Sequence, residues 1–218
     1  MELDFSCVWQ YWPFLYHGAL TTLKMTAICA VFGFLLGVLL SLVKISKCAP
    51  LVWFGRFYTS IFRGTPLLVQ LCIVHFGLPQ LLDITFTTTQ SGILTFSLNS
   101  AAYISEIFRG GITGVDKGQY EAAKILGYSR SQTFMRIILP QVIKRVMPSI
   151  TNEAITLVKD TSLAFTLSIM ELFNQAKALA ARETNMIPYA IAALIYYVFC
   201  LLVAFVMEQA EKKMSYYR

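Results

Sequence analysis

Hydrophobic residues run along this chain in long blocks separated by short polar stretches, a rhythm set by bilayer thickness rather than by the face of a surface helix. A hydrocarbon core about 30 Å thick takes roughly 20 mostly apolar helical residues. The windows that meet this demand predict five spans: about Gly18 to Val43, within Leu51 to Leu82, about Gly92 to Phe108, about Met147 to Leu167, and about Ile187 to Met207. The second window is too long for one crossing, and Arg63-Gly64-Thr65-Pro66 interrupts it. It is expected to split into an interfacial amphipathic piece carrying Trp53, Arg56 and Tyr58, then a crossing that begins near Thr65.

Composition agrees: of 218 residues, 56% are hydrophobic and only 14% charged, which excludes an ordinary soluble domain and predicts an all-α integral membrane protein. The net charge of +6 finds its explanation in placement rather than in a nucleic-acid partner, and none is expected. Lys44, Lys47 and Arg56 follow the first span. Arg109, Lys117, Lys124, Arg130, Arg136, Lys144 and Arg145 lie between the third and fourth, and Lys212, Lys213 and Arg218 end the chain. The opposite segments hold Glu2, Asp4, Asp83 and a mixed set of Glu171, Lys177, Arg182 and Glu183. The positive-inside rule then puts the N-terminus outside and the C-terminus in the cytoplasm. No basic stretch precedes the first apolar run, so a cleaved signal peptide is not expected. Without a repeat or a low-complexity tract, residues 1–218 read as one transmembrane domain. The five cysteines lack paired or metal-ligand spacing, and no metal or other cofactor is expected.

The connection between the third and fourth spans, about 112–140, is too long to be structureless. Asp116 and Gln119 have capping-box spacing for a helix starting near Lys117, and Gly127 supplies a stop. Ser129 or Ser131 can cap a second helix, and Pro140 and Pro148 mark its passage toward the fourth span. A first helix of two to three turns is marginal alone and needs a surface. Glu121-Ala122-Ala123, Gly127 and Ile137-Ile138-Leu139-Pro140 resemble the EAA loop of bacterial ATP-binding-cassette importer permeases. Arg63 to Gln70, Leu98 to Tyr103, Glu106 to Gly111 and Lys159 to Leu163 look like polar amino acid permeases of the histidine, glutamine and arginine class.

That resemblance implies a type I importer transmembrane domain with about five spans and a cytoplasmic coupling helix, in the bacterial inner membrane. Its partners would be two ATPase subunits, a second identical or homologous permease and an external amino acid binding protein. Glu121, Ala122, Ala123 and Gly127 would dock the ATPase. No Gly-x-x-x-x-Gly-Lys-Ser/Thr loop occurs, so hydrolysis is assigned to a partner and no catalytic residue to this chain.

Ionisable groups inside a span are costly and point to function. Glu153 and Asp160 are seven apart on the fourth span, on one helix face and about 10 Å apart along the axis, a reach that suits a free amino acid and a basic side chain. Lys159 beside them is a substrate contact or a structural partner across a subunit interface. Asn99, near the middle of the third span, either binds substrate or packs helices with Ser100, Ala101 and Ala102. Thr65 and Pro66 have the chemistry of an N-cap and first helical position, which would aim free amides at a carboxylate, or they simply mark a kink. Gly33 and Gly37 permit a tight helix contact, and Glu106 with Arg109 reads as a surface ion pair. His17 and His75 lack companions for metal or nucleophilic chemistry. The function expected is import of polar, by its two acids basic, amino acids. A stand-alone secondary transporter or channel, and less readily a membrane enzyme, are the alternatives.

Overall fold

A computed structural model describes residues 8–213. Glu2, Asp4, Cys7 and Arg218, which entered the topology and cysteine arguments, lie outside the described residues. The described chain is helical throughout: α1 (Val8–Ile45), α2 (Ala49–Gly64), α3 (Leu67–Leu82), α4 (Thr88–Thr113), α5 (Lys117–Ile125), α6 (130–160), α7 (Leu172–Glu183) and α8 (Ile187–Lys213). A 3-10 stretch, Thr161–Leu167, follows α6.

Two helices contain a widened π turn, Ile73–Gly77 in α3 and Phe134–Ile138 in α6. Each ends two residues before a proline, Pro79 and Pro140. A proline removes the bond to the carbonyl four residues back and its ring presses on that carbonyl, here His75 and Arg136, so the turn opens.

Helices α1 and α8 are long and apolar enough to cross a membrane, and α2 with α3 forms a broken pair bent by 108°. The expected split of the second span is therefore present. Helix α4, with 26 residues, spans about 39 Å, yet it buries Ser91, Thr95, Ser97, Asn99 and Ser100 along its length. It is an interior helix whose polar groups face protein. With α6 and its 3-10 extension, these elements correspond to the five expected spans.

Several boundaries differ from expectation. Helix α1 begins ten residues before Gly18, because the aromatic residues Trp9, Tyr11, Trp12 and Tyr16 continue the helix while lowering its hydropathy. The helix of the fourth span ends at Asp160, seven residues before the expected Leu167. The mixed segment after it folds as α7, started by Glu171, a fully buried carboxylate that accepts from the amides of Phe173 and Asn174 and from the Tyr196 hydroxyl.

Helix α1 is the spine. Its first turns pack Tyr11, Leu15 and Ala19 on Leu172, Ala176 and Leu179, and Met25 and Cys29 join Phe96 and Leu157 at mid-length. Gly33 and Gly37 then meet α4 so closely that a Cβ would fall 2.9 Å from the Ser100 Cβ and 2.6 Å from the Ile104 Cγ2. The glycine pair thus serves contact within this chain. A third apolar cluster, Ile104, Phe108, Val115, Ile138, Val142 and Val146, ties α4 to α6 next to the loop that carries α5.

Candidate functional site

The polar site forms where α2 breaks. A residue before proline is pushed out of the helical region, and Thr65 is extended at φ −121°, ψ 148°. Pro66 itself takes the N-cap position of α3, and no side chain caps that helix. The expectation that Thr65 would be the N-cap is corrected here: its hydroxyl turns back to donate to the Ile61 carbonyl at 2.8 Å and accepts from Gln70 Nε2 at 2.8 Å. One turn of α2 lies within easier reach of that hydroxyl than the amides beyond the proline.

Gln70 Nε2 also reaches the carbonyls of Phe62 at 2.9 Å and Thr65 at 3.1 Å. From α4, Asn99 Nδ2 donates to Gln70 Oε1 at 2.9 Å and to the same Phe62 carbonyl at 3.2 Å. Backbone carbonyls orphaned by the break are thereby satisfied by two buried amides.

Beside this lattice lies a pocket of about 290 Å³, lined by Thr65, Leu67, Asn99 and Tyr103 on one side and by Glu153, Thr156 and Asp160 of α6 on the other. Four of the five residues read from the sequence as substrate contacts converge on it. Both acids face it, as a seven-residue separation on one helix requires. Glu153 also accepts from Ser100 Oγ at 2.9 Å and borders an almost wholly apolar cleft of about 420 Å³. Lys159 is the exception. It lines a separate pocket of about 440 Å³ with Ser162, Phe173, Tyr189 and Tyr196, because neighbouring helical residues point about 100° apart. Sequence reasoning passed over Tyr103, Thr156 and Gln70. Of these only Gln70, an amide inside an apolar run, carried a usable signal.

Below the pocket, the pair of Glu106 and Arg109 is present at 2.7 Å but is more than a surface pair. The same carboxylate binds Lys44, whose side chain is buried, and lies 3.9 Å from Arg63. Lys44 also donates to Thr59 Oγ1 at 3.1 Å, and the Arg63 guanidinium stacks 5.4 Å from the centre of the Tyr103 ring. Periodicity alone could not foresee contacts made by α1 and α2.

Helix α5 starts at Asp116, whose Oδ1 accepts from the Gly118 amide at 2.7 Å. The expected capping box with Gln119 does not form, because Asp116 caps the second residue of the helix rather than the third and the Gln119 side chain instead accepts from Gln141 at 3.4 Å. At the other end Gly127 stands at φ +76°, its amide donating to the Lys124 carbonyl and the Tyr128 amide to that of Ala123. This is a Schellman stop, which favours glycine. Ser129 and Gln132 then form a complete capping box, so Ser129 rather than Ser131 starts the next helix.

Glu121 and Ala122 are exposed on α5 and Gly127 is exposed just beyond its end, whereas Ala123 is buried within the chain. Ile125 and Leu126 are 86% and 73% exposed, a pair of apolar side chains left largely uncovered among the described residues. Alongside runs a groove of about 650 Å³ between Tyr120, Lys124, Tyr128 and Arg130. Among the described residues no group of three or more metal-ligating side chains converges.

Residues 22–216 match the family described as binding-protein-dependent transport system inner membrane component. The chain is 43% identical over 216 residues to the arginine transport system permease protein ArtQ of Bacillus subtilis (strain 168), covering 99% of each. It is 45% identical over 202 residues to the putative glutamine transport system permease protein GlnP of Rickettsia bellii (strain RML369-C), covering 92% of this chain and 93% of that one. A solved amino acid ABC transporter with histidines aligns at TM-score 0.90 and 33% identity over 98% of this chain and 100% of that one. The MetNI methionine transporter, at 20% identity and TM-score 0.79, shares the fold. The chain thus belongs to the inner membrane component family of binding-protein-dependent transport systems, as a membrane-spanning permease subunit whose ATP hydrolysis is performed by a partner.

Proposed function

We propose that this permease carries polar amino acids, basic ones by preference, through the pocket between the α2–α3 break, α4 and α6. The observation that carries the reading is the convergence of Thr65, Asn99, Glu153 and Asp160 on one cavity of about 290 Å³. Two carboxylates within a low-dielectric wall favour an α-ammonium and a cationic side chain. The uncapped start of α3, with Leu67 at the pocket wall, offers free amides to a carboxylate. Relatives named for arginine and for glutamine make an amino acid the cargo class, and the paired acids argue for the basic end of that class.

In this reading Glu121, Ala122, Ile125 and Leu126 dock into one of two ATPase subunits, Gly127 holds the end of the docking helix, and a second permease completes the membrane part. An external binding protein delivers cargo to the N-terminal side. ATP-driven closure of the ATPases moves α5, and α4 and α6 follow to switch the pocket between the two sides. Lys159, outside the pocket, is assigned to the subunit interface.

Reconstituted vesicles test this. With ATPase and binding protein present, labelled arginine enters only with ATP; equal uptake without the ATPase overturns the importer reading. Asp160→Ala weakens arginine transport more than glutamine transport, and equal loss removes the basis for the basic preference.

A further inference from the structure

The lattice at the helix break decides what the pocket presents to its cargo. Phe62 and Thr65 offer carbonyl oxygens, which only accept, so the nitrogen of the Gln70 amide must face them and its oxygen must face Asn99. Asn99 then has to donate with its Nδ2, toward Gln70 Oε1 and the Phe62 carbonyl. No described donor reaches Asn99 Oδ1, and that oxygen is the group Asn99 has left for the pocket it lines. Gln70 itself does not line the pocket, and only 6% of its surface is exposed.

We infer that Gln70 is a positioning residue for cargo recognition: it fixes the Asn99 amide with its oxygen toward the pocket and holds Thr65 and the start of α3 in place. The wall facing the cargo becomes a set of acceptors, Asn99 Oδ1 with the carboxylates of Glu153 and Asp160, which selects an ammonium group. Without the Gln70 oxygen, the Asn99 amide keeps only the longer bond to the Phe62 carbonyl, 3.2 Å, to hold its orientation. A flipped amide would present hydrogen-bond donors to an ammonium, which repels them. This inference rests on the proposed role of the pocket in binding amino acids.

The test uses the permease in complex with its ATPase and binding protein in vesicles, with labelled L-arginine as probe. Gln70→Leu and Gln70→Glu are each expected to raise the half-saturating arginine concentration roughly tenfold, the cost of an unmet buried polar contact, with the maximal rate and the ATPase activity nearly unchanged. Lowering the pH protonates the Gln70→Glu carboxyl, restores a donor toward the Phe62 and Thr65 carbonyls and recovers part of the affinity. Gln70→Leu does not recover. A merely structural defect would lower rate and assembly together and show no pH rescue, which overturns the proposal, as does unchanged affinity in both variants. Glu153→Gln separates the two readings. If it leaves arginine affinity intact, the pocket assignment fails; if it weakens affinity while the Gln70 variants do not, the positioning role alone fails.

Discussion

At the scale of single residues, the Glu106 carboxylate gives the sharpest prediction. It is the partner of Lys44, whose side chain is 1% exposed, and it also holds Arg109 and lies near Arg63. Removing one member of a buried pair leaves the other charged without compensation, which costs about 3–5 kcal/mol. Glu106→Gln should therefore lower the melting temperature of the purified protein in detergent sharply. Adding Lys44→Met should recover most of the loss, since the stranded charge is then gone; a double variant no more stable than the single one would locate the defect elsewhere. The same residues show how far sequence reasoning reached. Glu106 and Arg109 are legible as a pair because three-residue spacing is local. Lys44 is 62 positions from its partner and joins it only through the packing of α1 on α4. Glu153 and Asp160 were legible for the opposite reason, since one rigid helix fixes both. Tyr103 and Thr156 have side chains equally at home in an apolar wall, and nothing marked them.

At the scale of elements, exposed apolar side chains on a capped helix outside the spans need a cover. Ile125 ends α5 and Leu126 is its C-cap, next to the Schellman stop at Gly127. Ile125→Asp should leave the fold intact, since that residue is 86% exposed among the described residues, and weaken capture of the ATPase at least tenfold in a pull-down. Undiminished capture would mean the docking surface is another face. Gly127→Ala forces a side chain into the left-handed region, which costs about 1–2 kcal/mol, frays the helix end and should reduce ATP-driven uptake more than assembly. Both termini of α5 were readable from Asp116 and Gly127, yet the capping box did not form. Gln119 had a competing partner, Gln141 on α6, and sequence spacing says nothing about competitors. The break of α2 was readable because proline acts on its own backbone; the 108° angle was not, because Gln70 and Asn99 hold it from two different helices.

At the scale of the whole molecule, the proposal that the N-terminus lies outside makes a claim about both faces. On that proposal the cationic segments, Lys44 and Lys47 in one and Arg109 to Arg145 in the other, share the face that carries α5, while α7 lies on the opposite one. Cys48 is exposed in the connection between α1 and α2, whereas Cys29 is buried and Cys72 and Cys200 are only partly accessible inside apolar helices. It is a natural reporter for the basic face. In a Cys7→Ser background, a membrane-impermeant maleimide should leave Cys48 unlabelled in intact cells and label it once the membrane is opened. Thr184→Cys, at the exposed end of α7, should be labelled in intact cells. The reverse pattern would invert the topology, placing α5 on the side without ATP and removing the basis for ATPase docking there. Labelling of both from outside would instead mean that Cys48 lies in a water-filled path through the membrane. The charge asymmetry favours the first outcome, because moving the short connection with Lys47, flanked by Lys44 on α1 and Arg56 on α2, to the outer face would oppose the positive-inside bias that orients short loops.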